Sequence, residues 1–260
     1  MCELLGMSAN VPTDICFSFS GLLERGGRTG PHKDGWGIGF YEGKGFRSFI
    51  DPEPCCDSVL ARLIKDYPMK SNTVISHIRQ ANSGGIKLEN THPFSRELWG
   101  KHWCYAHNGQ LKQFESLPCE MYSPVGETDS EHAFCWLLSQ ISQINPDETE
   151  KCDFAFQMKP KLDHLRSLGV FNMLMSDSVY LYAYCTTKLS WITRRAPFGE
   201  AKLKDVELQV DFGTETTPND VVTVVATEPL THDEEWHQMK AGELVVFRQG
   251  ELVCRVEGEA

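Results

Sequence analysis

The second residue of this 260-residue chain is Cys2, in a start that reads MCELLG. A thiol attacks a carbonyl carbon as its thiolate, and an ordinary cysteine, with a pKa near 8.5, needs a base at neutral pH. If Met1 is removed, which a small second residue permits, Cys2 carries that base on its own backbone. An α-amine titrates at about 7.7–8.0 and acts as a general base near neutrality. The plain alternative is a chance cysteine in a frayed terminus. Asn108-Gly109 can offer two donors, a side-chain amide and a backbone N–H, to charge developing on a carbonyl oxygen. Each such donor is typically worth about 2.7–4 kcal/mol. The same dipeptide is also a strong hairpin-turn signal. Arg79 can clamp a carboxylate through two parallel hydrogen bonds, or it can be a surface charge at a strand end. Asp129 can hold an ammonium group, or it can simply favour the first turn of a helix by its charge.

These residues need elements to hold them. Trp36, Ile38 and Phe40 alternate with glycines inside residues 24–45, which predicts a strand packed closely against a neighbour. TVISHI at 73–78 and HWCYAH at 102–107 are β-branched or aromatic and read as further strands. Within 131–144, Ala133, Phe134, Leu137, Leu138, Ile141 and Ile144 share one helical face. Thr128 followed by Glu131 is a capping-box pattern, so this helix is expected to start at Thr128. A second helix is expected over much of 153–168. Short strands follow at 179–185, 188–194 and 221–227, with a terminal pair around Gln249-Gly250. Strands, then helices, then strands suit an α+β layered domain better than βαβ units.

Composition narrows the function classes. The net charge of -11, from 25 basic and 36 acidic residues, argues against a general binder of nucleic acid or anionic membrane. There is no apolar run of the length a membrane span needs, and the start has neither the basic residues nor the greasy stretch of a secretion signal. The ten cysteines are scattered without a CxxC pair, and Cys55 and Cys56 are adjacent, so reduced thiols in the cytoplasm are expected. GWGIG lacks dinucleotide-fingerprint spacing, and there is no P-loop or GxSxG elbow. His102, Cys104 and His107 have no zinc-site spacing.

Taken together, MCELLG, HKDGWGIGFY at 32–41, HIRQANSGG at 77–85, HNG at 107–109 and TDSE at 128–131 resemble the class II glutamine amidotransferases. These are N-terminal-nucleophile hydrolases, and the likeness is greatest to the stand-alone branch without a fused synthase domain. Each motif is short, but five in order, with one at the very start, make a specific resemblance. It implies a four-layer αββα sandwich, with two packed antiparallel sheets between helices, in a single domain over 1–260 whose motifs lie within about 2–131. It implies Cys2 as nucleophile, Asn108 and Gly109 as oxyanion hole, and Arg79 and Asp129 as holders of a substrate's α-carboxylate and α-ammonium. His77 and His107 fall in the same motifs and are expected at the substrate site, although buried structural histidines, as for His92, are the modest alternative. His32, Asp34 and Trp36 are expected either to shape the pocket or to tie down the turn over Cys2. The implied reaction cleaves the γ-glutamyl amide of glutamine or a γ-glutamyl compound through a Cys2 thioester, with no metal or organic cofactor. The leaving group, ammonia or a larger amine, stays open, as do the oligomeric state and a separate synthase or acceptor enzyme as partner. The other reading is a non-catalytic or partner-dependent subunit that binds γ-glutamyl metabolites or passes ammonia on.

Overall fold

A computed structural model of the chain describes residues 2–14, 22, 24–65, 67, 69–81, 84–144, 151–198, 200–204, 209–211 and 217–258. In chain order the elements are β1 (Glu3–Asp14), β2 (Trp36–Glu42), β3 (Gly45–Asp51), α1 (Val59–Lys65), β4 (Lys70–Ile78), β5 (Phe94–Leu98) and β6 (Lys101–Leu111). The helices α2 (Asp129–Ile141) and α3 (Lys151–Leu168) come next. They lead into β7 (Gly169–Ser176), β8 (Leu181–Tyr184), β9 (Ser190–Arg195), β10 (Glu200–Lys202) and β11 (Gln209–Asp211). The chain closes with β12 (Val221–Ala226), β13 (His237–Gln238), β14 (Leu244–Arg248) and β15 (Glu251–Val256).

Two antiparallel sheets form the body. One runs β13-β9-β12-β1-β4-β2-β3 and the other β15-β14-β8-β7-β6-β5. Side-chain alternation along each strand sorts the apolar residues into three layers. On β1, Leu4 faces the second sheet with Ile75, Ala106 and Leu174. Leu5, Met7 and Ala9 face outward with Trp36, Val74 and the α1 residues Ala61 and Ile64. On the far side of the second sheet, Trp103, Tyr105, Phe171 and Met173 pack against α2 and α3. The result is the expected α+β sandwich, helix–sheet–sheet–helix.

The α2 face expected from its spacing is buried, with Phe134, Leu137, Leu138 and Ile141 fully covered, and Cys135, Trp136 and Ser139 outside it are buried too; burying four such apolar side chains contributes on the order of 6–12 kcal/mol. The Thr128 hydroxyl caps α2 by accepting the Glu131 N–H at 3.2 Å. The return half of the capping box is redirected. Glu131 Oε2 accepts the Gly126 N–H at 2.6 Å and Oε1 pairs with Arg96 at 2.5 Å. Strand β1 carries no sequence alternation because both its faces are buried from Glu3 to Ala9, which is the pattern of a central strand covered on both sides. The Gly37 spacing does report close packing: a Cβ there would lie 2.2 Å from the His92 carbonyl oxygen.

Candidate active site

Register delivers Cys2 to its neighbours. In the β1–β4 ladder Glu3 sits opposite Ile78 and Leu4 opposite His77, so continuing the pairing brings Cys2 beside Arg79 and Gln80. The Gln80 N–H reaches the Cys2 sulfur at 3.3 Å, and the thiol lies 3.4 Å from the Gln80 carbonyl. Burial pushes the Cys2 thiol up, against the Gln80 N–H and the Arg79 charge, which pull it down; Asp129 pushes it further up.

A narrow cavity of about 30 Å³ opens at Cys2. Its walls come from the start of β1 (Cys2), the segment after β4 (Arg79–Ala81), His92, the end of β6 (His107 and Gly109) and the first turn of α2 (Thr128–Ser130). Its water-accessible space has room for a water or two.

Arg79 is 3% exposed and its guanidinium donates to the carbonyls of Gly85 at 3.1 Å, Gly84 at 3.2 Å and Asp34 at 3.4 Å. Burial pulls its pKa down, while Cys2, Asp34 and Asp129 push it up. Three carbonyls fix the fork, so this is an oriented cation in the cavity wall rather than a surface charge at a strand end. Asp129 accepts the Leu111 N–H at 2.7 Å through Oδ2 and the Ser130 N–H at 2.9 Å through Oδ1. It thus ties the end of β6 to the start of α2 as well as lining the cavity.

Asn108-Gly109 is not a hairpin turn. Both residues lie within β6, opposite Asn172 and Phe171 of β7. A Cβ on Gly109 would sit 1.8 Å from the Val170 oxygen, so only glycine brings that backbone to the cavity. The Asn108 carbonyl accepts from Asn172 Nδ2 at 3.0 Å, while its own side-chain amide is buried without a protein partner. An orphaned buried amide costs about 1–3 kcal/mol. Such a group is ready to donate to a ligand oxygen with no bond of its own to break.

The histidines and the Gly-rich segment depart from expectation. His107 lines the cavity, but its Nδ1 is bonded to Ser130 Oγ at 2.8 Å and its Nε2 to the Val170 carbonyl at 3.1 Å. Both nitrogens are committed to joining β6, β7 and α2, which leaves neither for a substrate. His77 is not in the cavity wall; it is fully buried behind His92, ring to ring at 4.2 Å. His32 lines a different cavity, of about 570 Å³, together with Glu3 and Arg25, and its Nδ1 lies 3.2 Å from the Arg25 carbonyl. Trp36 is fully buried in the outer layer between the first sheet and α1. Neither residue shapes the pocket, because β2 turns Trp36 outward and the loop before β2 carries His32 to the other cavity. Asp34 is the brace of this group: its Oδ2 accepts the Ala81 N–H at 2.7 Å, holding the segment that forms one wall.

The sequence profile of the family described as glutamine amidotransferases class-II matches residues 1–259. The chain belongs to this family. Over 254 residues, which are 97% of this chain and 100% of the relative, it is 61% identical to YafJ of Escherichia coli (strain K12), provisionally named a glutamine amidotransferase. A solved structure of a predicted glutamine amidotransferase from Pseudomonas aeruginosa PA01 is 51% identical, covers 97% of this chain and 100% of its own, and superposes with a TM-score of 0.78. The glutamine phosphoribosylpyrophosphate amidotransferase of B. subtilis is only 15% identical, with a TM-score of 0.61 over 98% of this chain and 49% of its own; that likeness is one of fold.

Within this site, several residues were not singled out by their type or spacing. Gln80 and Ser130 lie inside the HIRQANSGG and TDSE motifs beside Arg79 and Asp129; register brings Gln80 to Cys2, and the first turn of α2 brings Ser130 to the cavity. Asn172 is the clearest case. It is fully buried, its Oδ1 accepts from the backbones of Thr186 and Thr187 at 2.9 Å, and its Nδ2 holds the Asn108 carbonyl. Nothing in the FNM context of Asn172 marks it, because its partners lie 14 or more residues away.

Proposed function

We propose that this chain hydrolyses the γ-glutamyl amide bond of glutamine or a γ-glutamyl compound, with Cys2 as nucleophile after loss of Met1. Arg79 takes the α-carboxylate of the amino-acid head and Asp129 its α-ammonium. The α-amine of Cys2 removes the thiol proton, and the sulfur attacks the δ-carbonyl carbon. The oxyanion is received by the Asn108 side-chain N–H and the Gly109 backbone N–H. Collapse expels the amine, which takes the proton, and leaves a γ-glutamyl thioester. Water then breaks the C–S bond and frees glutamate. The sequence needs no metal or organic cofactor.

One observation carries the reading: Cys2, Arg79, Gly109 and Asp129, up to 127 positions apart in the chain, meet around a single cavity. The uncommitted Asn108 amide supports it, since a purely structural asparagine would be expected to bond its neighbours. The nine cysteines among the described residues are all free thiols, which supports placing the reaction in the cytoplasm. Labelling with a glutamine-like diazoketone tests the nucleophile. Intact mass should show a chain lacking Met1 that carries one adduct, located on Cys2 and lost in Cys2→Ala. Equal labelling of that variant, or a native chain that keeps Met1, would sink the assignment.

A further inference from the structure

Beside the cavity lies a group of buried polar atoms: both ring nitrogens of His92 and the Tyr105 hydroxyl are without a protein partner, and the His77 ring meets the His107 backbone. His92 lines the Cys2 cavity. His77 lies against it at 4.2 Å between ring centroids, and the Tyr105 ring stands 6.5 Å from it. All three side chains are 3% exposed or less. The hydrolytic scheme does not use them, and buried polar groups of this kind are ordinarily satisfied by ordered water.

The protonation state narrows what they can do. Burial, with His107 and Arg79 nearby, holds His77 down at about 3. Burial, with His77, His107 and Arg79 around it, keeps His92 well below its ordinary value. Both rings are therefore neutral at neutral pH, each with one N–H donor and one bare nitrogen acceptor. Bases this weak are poor proton acceptors. They can orient a water through one donated and one accepted hydrogen bond.

We propose that His92, backed by His77, forms a water site that feeds the second half-reaction, holding at the cavity the water that attacks the Cys2 thioester. This rests on the reading of Cys2 as nucleophile. In the step, the water oxygen bonds to the thioester carbonyl carbon and the C–S bond breaks with its electron pair going to sulfur. One water proton passes through the Cys2 α-amine to the thiolate, and the other stays on the new γ-carboxyl group. The histidines are positioning residues. Water enters from the buried His92 side of the cavity, which leaves its mouth free for the departing amine.

The test is a partition between water and hydroxylamine, supplied with glutamine to the Met1-free protein. Hydroxylamine captures the thioester directly as the γ-glutamyl hydroxamate. His92→Phe is expected to lower glutamate release roughly tenfold or more and to accumulate the γ-glutamyl-enzyme on intact mass, while added hydroxylamine returns ammonia release toward the wild-type rate. His77→Phe should shift the hydroxamate-to-glutamate ratio the same way. His92→Asn, which keeps a donor and an acceptor, should recover most hydrolysis. A wild-type ratio in both phenylalanine variants, or equal loss of acylation and hydrolysis in folded variants, overturns the water site. If the phenylalanine variants do not fold, a high-resolution crystal structure of the unsubstituted protein decides. A water bonded to the His92 ring supports the site, and a dry His92 ring overturns it. Failure of the underlying reading looks different, because the wild-type protein would then form no γ-glutamyl adduct at all.

Discussion

Arg79 shows how one residue serves both fold and site. Its guanidinium spans three backbone carbonyls in the 34–85 region, so removing it loosens the cavity wall as well as removing a charge. A charge-assisted hydrogen bond is worth roughly 1.5–3 kcal/mol. Arg79→Ala is expected to raise KM for glutamine about 10- to 100-fold and to lower Tm, measured by steady-state kinetics and thermal melting. Arg79→Lys should not restore KM, because an ammonium cannot reproduce the planar fork. An alanine variant with unchanged KM would show that the substrate carboxylate lies elsewhere. Asp129 behaves alike at this scale: its two backbone bonds satisfy the bland expectation of an acid in a first helical turn, while its position also puts it in the cavity wall.

At the scale of elements, the ladder between β6 and β7 governs whether Asn108 and Gly109 can act. Asn172 is the hub: it holds the Asn108 carbonyl and also takes backbone N–H groups of Thr186, Thr187 and Lys188, the last at 3.3 Å. Truncating it leaves those groups buried without a partner. Asn172→Ala is expected to cost about 2–4 kcal/mol in denaturant unfolding and to reduce kcat, although Asn172 touches no substrate in the proposed scheme. Wild-type stability in that variant would mean that the 186–188 turn finds other partners. The helix α2 was legible from its apolar spacing and cap, and β6 from its β-branched and aromatic run. Strand β1, buried on both faces, and the redirected Glu131 were not, since their partners are distant in sequence.

For the whole molecule, the buried histidines set a dependence on acid. His77 titrates at about 3 in the folded chain against an ordinary value of 6.5, and His92 is depressed as well. The unfolded chain therefore binds more protons in this window, so stability is full above about pH 6.5 and is lost as pH falls towards 3. Each such site contributes a slope of up to about 1.4 kcal/mol per pH unit. Thermal melts between neutral and mildly acidic pH should show Tm falling with pH, and His77→Asn should flatten that fall. An equal slope in the variant would place the acid sensitivity elsewhere. The paired sheets explain why the His77 ring is shut off from bulk solvent: His77 lies on the face of β4 turned toward the second sheet, which covers it.

From the residues alone came the family, the layered α+β class, most element positions and the set Cys2, Arg79, Asn108, Gly109 and Asp129. Apolar period and capping pattern encode the elements directly, whereas the site set follows from the resemblance of five short motifs, each made of neighbours in the chain, to the family. The tertiary structure decided which of the flagged residues stand together. It turned Asn108-Gly109 from a candidate turn into strand, committed both nitrogens of His107, sent His32 to another cavity and brought Asn172 into support. Those outcomes depend on which face of a strand meets which partner across the sheets, and a one-dimensional spacing carries no record of contacts between segments a hundred residues apart.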